Sequence, residues 1–326
     1  MTVSTVATLP DGRAVQRITL QSDGMTAQVL TLGGIVQDLR MDGVAYPLVL
    51  GTPDVTAYLD RSRYWGAIVG RFANRIGGGR FSLDGHGYQT DQNFLGRHTL
   101  HGGSDGLDQQ VWVVQDVVAD RVTLSASLPD GHMGFPGNLH VTADIAVRGR
   151  ALAFDFTAET DAPTPCSLAH HGYFNLDGGG DVRGHDLWID ADRYLPTDRD
   201  LIPLPGIGQV QGTAFDFRQS REIGIFGYDH NFCLNNRSGQ RKAVARLTGK
   251  SGLSMTVTTD APGVQLYDGR HFTADAGLDD QTYQAYAGVA LETQSWPDAP
   301  NRPDFPNAIL RPGEKYRHHV SYGFSL

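Results

Sequence analysis

Apolar and polar residues alternate along most of this chain with a period of two. Leu139, Val141, Ala143, Ile145 and Val147 are separated by His140, Thr142, Asp144 and Ala146. Successive Cβ atoms of a strand point to opposite faces, so such a run predicts a strand with one apolar side. Val122, Leu124, Ala126 and Leu128 repeat the pattern, as do Leu152, Phe154, Phe156 and Ala158, and then Leu253, Met255 and Val257. Asp42-Gly43, Asp84-Gly85, Asp130-Gly131 and Asp268-Gly269 punctuate these runs, and such dipeptides suit turn positions that need positive φ. No helical pattern of ten or more residues alternates with the strands, which removes a parallel βαβ architecture. Neither a Ser-rich or Pro-rich linker nor an internal repeat divides the chain. The pattern predicts an all-β protein, one large antiparallel β-sandwich over residues 1–326 as a single domain.

Composition sharpens this picture. Glu occurs four times (Glu159, Glu222, Glu292, Glu314) and Lys three times (Lys242, Lys250, Lys315), so two of the best exposed helix formers are nearly absent. With 40 glycines in 326 residues, the chain is rich in turns. A net charge of minus 9 and the lack of any Lys/Arg-rich run argue against nucleic acid or an anionic membrane as partner. Two cysteines, Cys166 and Cys233, cannot form a disulfide framework or a CxxC zinc or redox site. The N-terminal MTVSTVATLPDG lacks the basic head and apolar middle of a secretory signal, which leads to the expectation of a cytoplasmic protein.

Five segments concentrate side chains able to do chemistry. VGRFANRIGGGRF places Arg71 and Arg75 on either side of Asn74; a guanidinium fork suits hydroxyl or carboxylate oxygens, and equally a structural ion pair. HTLHGG sets His101 before two glycines that let the backbone turn sharply. In SLAHHGYFNL, His170 and His171 are adjacent, and on a strand their rings face opposite ways, so at most one enters a given cleft while the other is packed or solvated. GYDHNF carries Asp229 and His230 ahead of an apolar run. GVALETQSWPDAPNRPDFP carries Glu292 directly after Val289, Ala290 and Leu291. An unpaired carboxylate inside an apolar strand costs several kcal/mol unless it is hydrogen-bonded or functional; the alternative is the solvent face of an edge strand. His98 and His101 lack a legible third ligand, and neither an HExxH nor a 2-His-1-carboxylate pattern is readable, so no metal is expected. There is no GxSxG elbow or GxxxxGK[ST] loop.

In chain order these segments resemble the GR-x-ANRI, LHGG, NH-[ST]-YFNL, DHNF and LETQ-x-x-PDAPN motifs of the aldose 1-epimerase (galactose mutarotase) family. PDGHMGFPGNL, ADRYLPTD, GTAFDFR, PGVQLYDG and RPGEKY fill the gaps, so the resemblance runs from about Gly33 to the C-terminus. It implies a supersandwich fold with a sugar cleft and a cofactor-free isomerase that interconverts the α and β anomers of free aldoses such as galactose or glucose. A monosaccharide is then the expected partner, to a monomer or homodimer. The resemblance also implies His171, Glu292 and His101 as catalytic residues, and Arg71 and Asp229 as binders of sugar hydroxyls. Reference pKa values suggest an ionised Glu292 as base, with a carboxylate nearby raising the protonated share of His171 as acid. A hexose-6-phosphate epimerase and a non-catalytic sugar binder are the competing readings. The chain departs from the family pattern at His170, usually Asn, at Gly172, usually Ser or Thr, and at Asp268, often Thr. Trp296 is read either as a stacking face for sugar or as a loop anchor.

Overall fold

The computed structural model describes residues 2–236 and 239–326. Nine strands form the largest sheet, in the order Val113–Val118, Arg121–Leu128, Leu139–Arg148, Ala151–Thr160, Tyr316–Ser325, Ser254–Thr259, Lys242–Thr248, Asp186–Ile189 and Arg221–Glu222. A second sheet of six is ordered Tyr173–Phe174, Val289–Gln294, Gly263–Tyr267, Asp229–Cys233, Arg193–Tyr194 and Gly208–Gln209, and a third of four is built from residues 2–41. Neighbouring strands in these sheets run antiparallel. Helix among the described residues is limited to seven 3-10 turns of three to five residues.

The period-two runs land where the sequence puts them. Leu139, Val141, Ala143, Ile145 and Val147 are all buried, and so are Leu152, Phe154, Phe156 and Ala158 beside them. Their side chains join one core with Ile18 and Leu20 of the four-stranded sheet and Val264, Leu266, Val289 and Leu291 of the six-stranded sheet. Burying the apolar side of each sheet against the others is what makes these layers a sandwich.

The turn signals fare unevenly. Asp84 and Gly85, with φ of 50° and 83°, join two strands as a two-residue hairpin, the geometry that positive φ at both positions favours. Asp268-Gly269 instead opens a long excursion before Val289. There the Asp268 carboxylate is fully buried and accepts hydrogen bonds from the backbone N–H of Tyr228 (2.7 Å) and Arg270 (3.3 Å).

The inner part of the six-stranded sheet positions the chemistry. In Val289–Gln294, Val289 and Leu291 enter the core while Ala290, Glu292 and Gln294 take the other face, and every residue of the strand is buried. Glu292 is therefore on an interior strand, not on the solvent face of an edge. Gln265 pairs with Glu292 on one neighbour, and Asn231 pairs with Gln265 on the next. Period two then puts Glu292, Gln265 and Asp229 on one side of three consecutive strands.

Candidate active site

Four separate stretches of chain converge on that polar face. His171 ends the short strand Ala169–His171, which pairs with Ala67–Val69. Its ring points to Glu292, with Nε2 3.5 Å from Oε1. His170 points the opposite way: its ring stacks on Phe154 at 4.3 Å and its Nδ1 lies 3.3 Å from the Tyr322 hydroxyl. Both histidines are buried, so neither is the solvated member of the pair.

His101 arrives through the pairing of Arg75–Ile76 with Thr99–Leu100. Its Nδ1 accepts the backbone N–H of Asn74 at 3.0 Å, so the neutral ring carries its proton on Nε2. The two glycines that follow are required: Gly102 has φ of 89°, and a Cβ there would fall 2.1 Å from the Gly70 carbonyl oxygen. The His101 and His171 rings meet edge to face at 5.1 Å.

Asp229 completes the floor. Its Oδ2 accepts from Arg75 Nη2 (3.0 Å) and its Oδ1 from Gln265 Nε2 (2.6 Å). Arg75 also lies over the Phe94 ring at 4.6 Å. His101, His171, Glu292, Asp229 and Arg75, with Tyr64, Tyr173, Tyr267 and His271, line a cavity of about 210 Å³. That is below the roughly 300 Å³ at which pockets for drug-sized ligands begin, and suits one small polar ring. More voluminous hollows lie elsewhere, such as the one of about 690 Å³ around Asp216 and Arg218. It holds neither a histidine nor a buried acid.

Burial dominates the electrostatics. Desolvation, helped by the negative charge of Asp229, pushes the Glu292 carboxyl up to about 8. Desolvation also brings His171 down to about 4 and holds His101 well below the usual imidazole value. Burial alone would raise Asp229 too, but the Arg75 guanidinium and the Gln265 amide hold it below the ordinary carboxylate range. Burial thus opposes the expectation of an ionised Glu292 beside a protonated His171: desolvation drives both groups toward their neutral forms. Glu292 Oε2 is buried without a hydrogen-bond partner, and His171 Nδ1 finds none on another residue.

Of the five residues taken from the sequence, His171, Glu292, His101 and Asp229 come together and Arg71 does not. The Arg71 guanidinium is buried away from the cavity, donating to the carbonyl oxygens of Pro136 and Gly137 (both 2.8 Å) and to Thr164 Oγ1 (3.1 Å). Arg75, four residues on in the same segment, takes the cavity position. The two arginines are indistinguishable by type, and only the pairing of Arg75 with Leu100 carries the second toward His101. Gln265, in GVQLYDG, went unread because an amide in a strand carries no signal of its own. Trp296 is a loop anchor, its indole N–H donating to the Pro262 carbonyl (2.9 Å) and its ring set edge to face on Phe305. Asp268 makes backbone contacts and does not line the cavity.

The structure does gather a His₂–carboxylate group that was not legible in the sequence: one donor atom each from His101, His171 and Glu292 lies within 4.8 Å of the others. A metal needs a lone pair from each neutral imidazole. The His101 lone pair is already spent on the Asn74 N–H, and the nitrogen facing the cavity bears the hydrogen. The donor set therefore does not fit a resident cation.

The sequence pattern of the family described as aldose 1-epimerase matches residues 16–323. The chain is 40% identical to a galactose mutarotase of Rattus norvegicus, over 97% of this chain and 95% of that one. It is 34% identical to an aldose 1-epimerase of Escherichia coli, over 98% of both. Among solved structures, an aldose epimerase homologue from C. elegans superimposes with a TM-score of 0.90 at 28% identity, covering 96% of this chain and 99% of that one. A galactose 1-epimerase from Lactobacillus acidophilus gives 0.87 at 29%, covering 99% and 98%.

Proposed function

The chain belongs to the aldose 1-epimerase family and is a mutarotase of free aldoses, and from that premise we propose that Glu292 and His171 move the one proton that anomer exchange requires. Opening the hemiacetal removes the proton from the C1 hydroxyl and delivers one to the ring oxygen as the C1–O5 bond breaks. Rotation about C1–C2 and reclosure on the other face, with the two transfers reversed, yields the other anomer. The numbers of protons and electrons are unchanged, so the chemistry asks for one acid and one base of interchangeable role.

The observation that carries this reading is the 3.5 Å approach of His171 Nε2 to Glu292 Oε1 across a single cavity. Burial favours the neutral pair, with the proton on Glu292. A sugar hydroxyl donating to the orphaned Oε2 favours the carboxylate and passes the proton to His171. Glu292 then takes the C1 hydroxyl proton and His171 protonates O5. His101, whose Nε2–H faces the cavity, donates to the ring oxygen as charge develops there. Asp229, held by Gln265, and Arg75 bind the remaining hydroxyls, with Arg75 in the role expected of Arg71.

The phosphorylated-sugar alternative finds no support in the lining. Arg75 is the cavity's one guanidinium and is committed to Asp229, with Glu292 as a second acid. Polarimetry on freshly dissolved α-glucose and α-galactose tests the assignment. Faster relaxation than the buffer blank, with no gain from a 6-phosphate, is expected; a phosphate-dependent rate refutes it.

The remaining readings are proposals of the same kind. Residues 1–326 are read as one domain because a single apolar core draws on all three large sheets. A monomer or homodimer that binds neither nucleic acid nor membrane suits the net charge of minus 9; no helix among the described residues is long and apolar enough to cross a membrane. A cytoplasmic location suits Cys166 and Cys233, both buried and free.

A further inference from the structure

His171 lacks the support that usually orients a reacting imidazole. Such a ring commonly donates its second N–H to a carboxylate or carbonyl oxygen, which fixes both tautomer and direction. Here no other residue offers Nδ1 a hydrogen-bond partner, and the one backbone group acting on the ring is that of His171 itself. What touches the ring instead is aromatic: His101 edge to face at 5.1 Å, Tyr173 at 5.0 Å, and Tyr64 nearly parallel at 5.9 Å with an interplanar angle of 24°. Tyr64 also packs on His101 at 4.8 Å, so one phenol ring bears on both imidazoles.

Tyr64 is held to that task by its backbone and its neighbour. Its φ is 72°, a left-handed value that is a genuine outlier for a bulky residue and persists only where the surroundings enforce it. Two residues later, the Gly66 N–H donates to the His171 carbonyl (2.9 Å). Arg63 supplies the clamp. Its Nε donates to the buried Asp108 carboxylate (2.8 Å) and its Nη2 to the Gly103 carbonyl in the loop of His101 (3.0 Å), while its guanidinium lies 4.7 Å from the Tyr64 ring centre. The turn bearing Tyr64 is thereby tied to both histidine-bearing segments.

We propose that Tyr64 is the positioning residue for His171, its clamped ring setting the direction of the imidazole in place of an Nδ1 acceptor on a neighbouring residue. This rests on His171 being a reacting group, so His171→Asn is measured alongside. A misplacement of about 1 Å costs on the order of 100-fold. Tyr64→Leu is expected to lower kcat by about 10- to 100-fold with KM changed by less than about 3-fold. Tyr64→Phe, which keeps the ring, should stay within about 3-fold of the parent in both. NMR titration of the His171 Cε1–H is expected to show its pKa rising from about 4 toward the ordinary imidazole value in Tyr64→Leu, as water reaches the loosened ring. Should Tyr64→Leu not fold, Arg63→Met keeps the ring and loosens its clamp, and the same changes are expected at smaller size. The proposal is overturned if a folded Tyr64→Leu, or Arg63→Met in its place, retains parental kcat and titration, or if its loss lies in KM alone, which would make the ring a sugar platform. A fully active His171→Asn would instead overturn the acid–base assignment beneath it.

Discussion

His170 occupies the space a side chain at position 172 would need: a Cβ built on Gly172 falls 2.5 Å from His170 Cε1. The His170 ring cannot retreat, being packed on Phe154 and edge on to Phe174 and Tyr322. The departures at His170 and Gly172 are therefore one compensated change behind the strand that presents His171. Gly172→Ser alone is expected to destabilise the protein by about 1–3 kcal/mol through overpacking. His170→Asn combined with Gly172→Ser should recover much of that loss, giving a coupled double-mutant cycle in denaturant unfolding. Additive effects would show that the two positions do not share the space.

The two arginines of the GRFANR segment should separate cleanly. Arg75→Met is expected to raise KM by at least about 10-fold, the scale of a lost charge-assisted hydrogen bond of about 1.4 kcal/mol or more. Arg71→Met orphans buried carbonyl oxygens and should lower stability by about 3 kcal/mol while leaving KM of the folded enzyme unchanged. Isothermal kinetics and melting curves on both variants check this. A KM effect confined to Arg71→Met would restore the expectation drawn from the sequence.

The one-proton pair predicts a bell-shaped dependence of kcat/KM on pH. Below about 4 His171 takes up a second proton, and above about 8 Glu292 loses the only one. Activity should fall on both sides, since each limb removes either the base or the acid. Glu292→Gln should abolish the alkaline limb in any residual rate. A rate rising steadily to pH 10 would contradict the sharing of one proton.

Because the His101 nitrogen facing the cavity bears a hydrogen, exhaustive chelation is expected to leave the rate unchanged. Loss of activity on chelation, restored by a divalent cation, would show that His101 adopts the other tautomer and coordinates metal.

The strands were readable because one face of each is buried, which forces alternation into the sequence, as in Leu139–Arg148. The five site residues entered through the resemblance to the family motifs; from the residues alone only Glu292 stood out, because a carboxylate inside an apolar run is costly unless used. Arg71 was misplaced because residue type does not reveal which of two guanidiniums a β-ladder turns inward. The burial that opposes charge on Glu292 and His171 is a property of the closed sandwich; local sequence suggests only that a carboxylate raises the imidazole. Tyr64 was invisible for a related reason, since its positive φ is imposed by contacts distant in sequence.

The most direct test of the central claim is the anomer exchange rate of Glu292→Gln, measured by magnetisation-transfer NMR on equilibrated glucose or galactose beside the parent and buffer alone. Removing the proton acceptor while keeping its shape should lower kcat by about 100- to 10,000-fold, approaching the uncatalysed rate. A folded Glu292→Gln that exchanges anomers at the parental rate would contradict the proposal that this carboxyl and His171 share and move the proton.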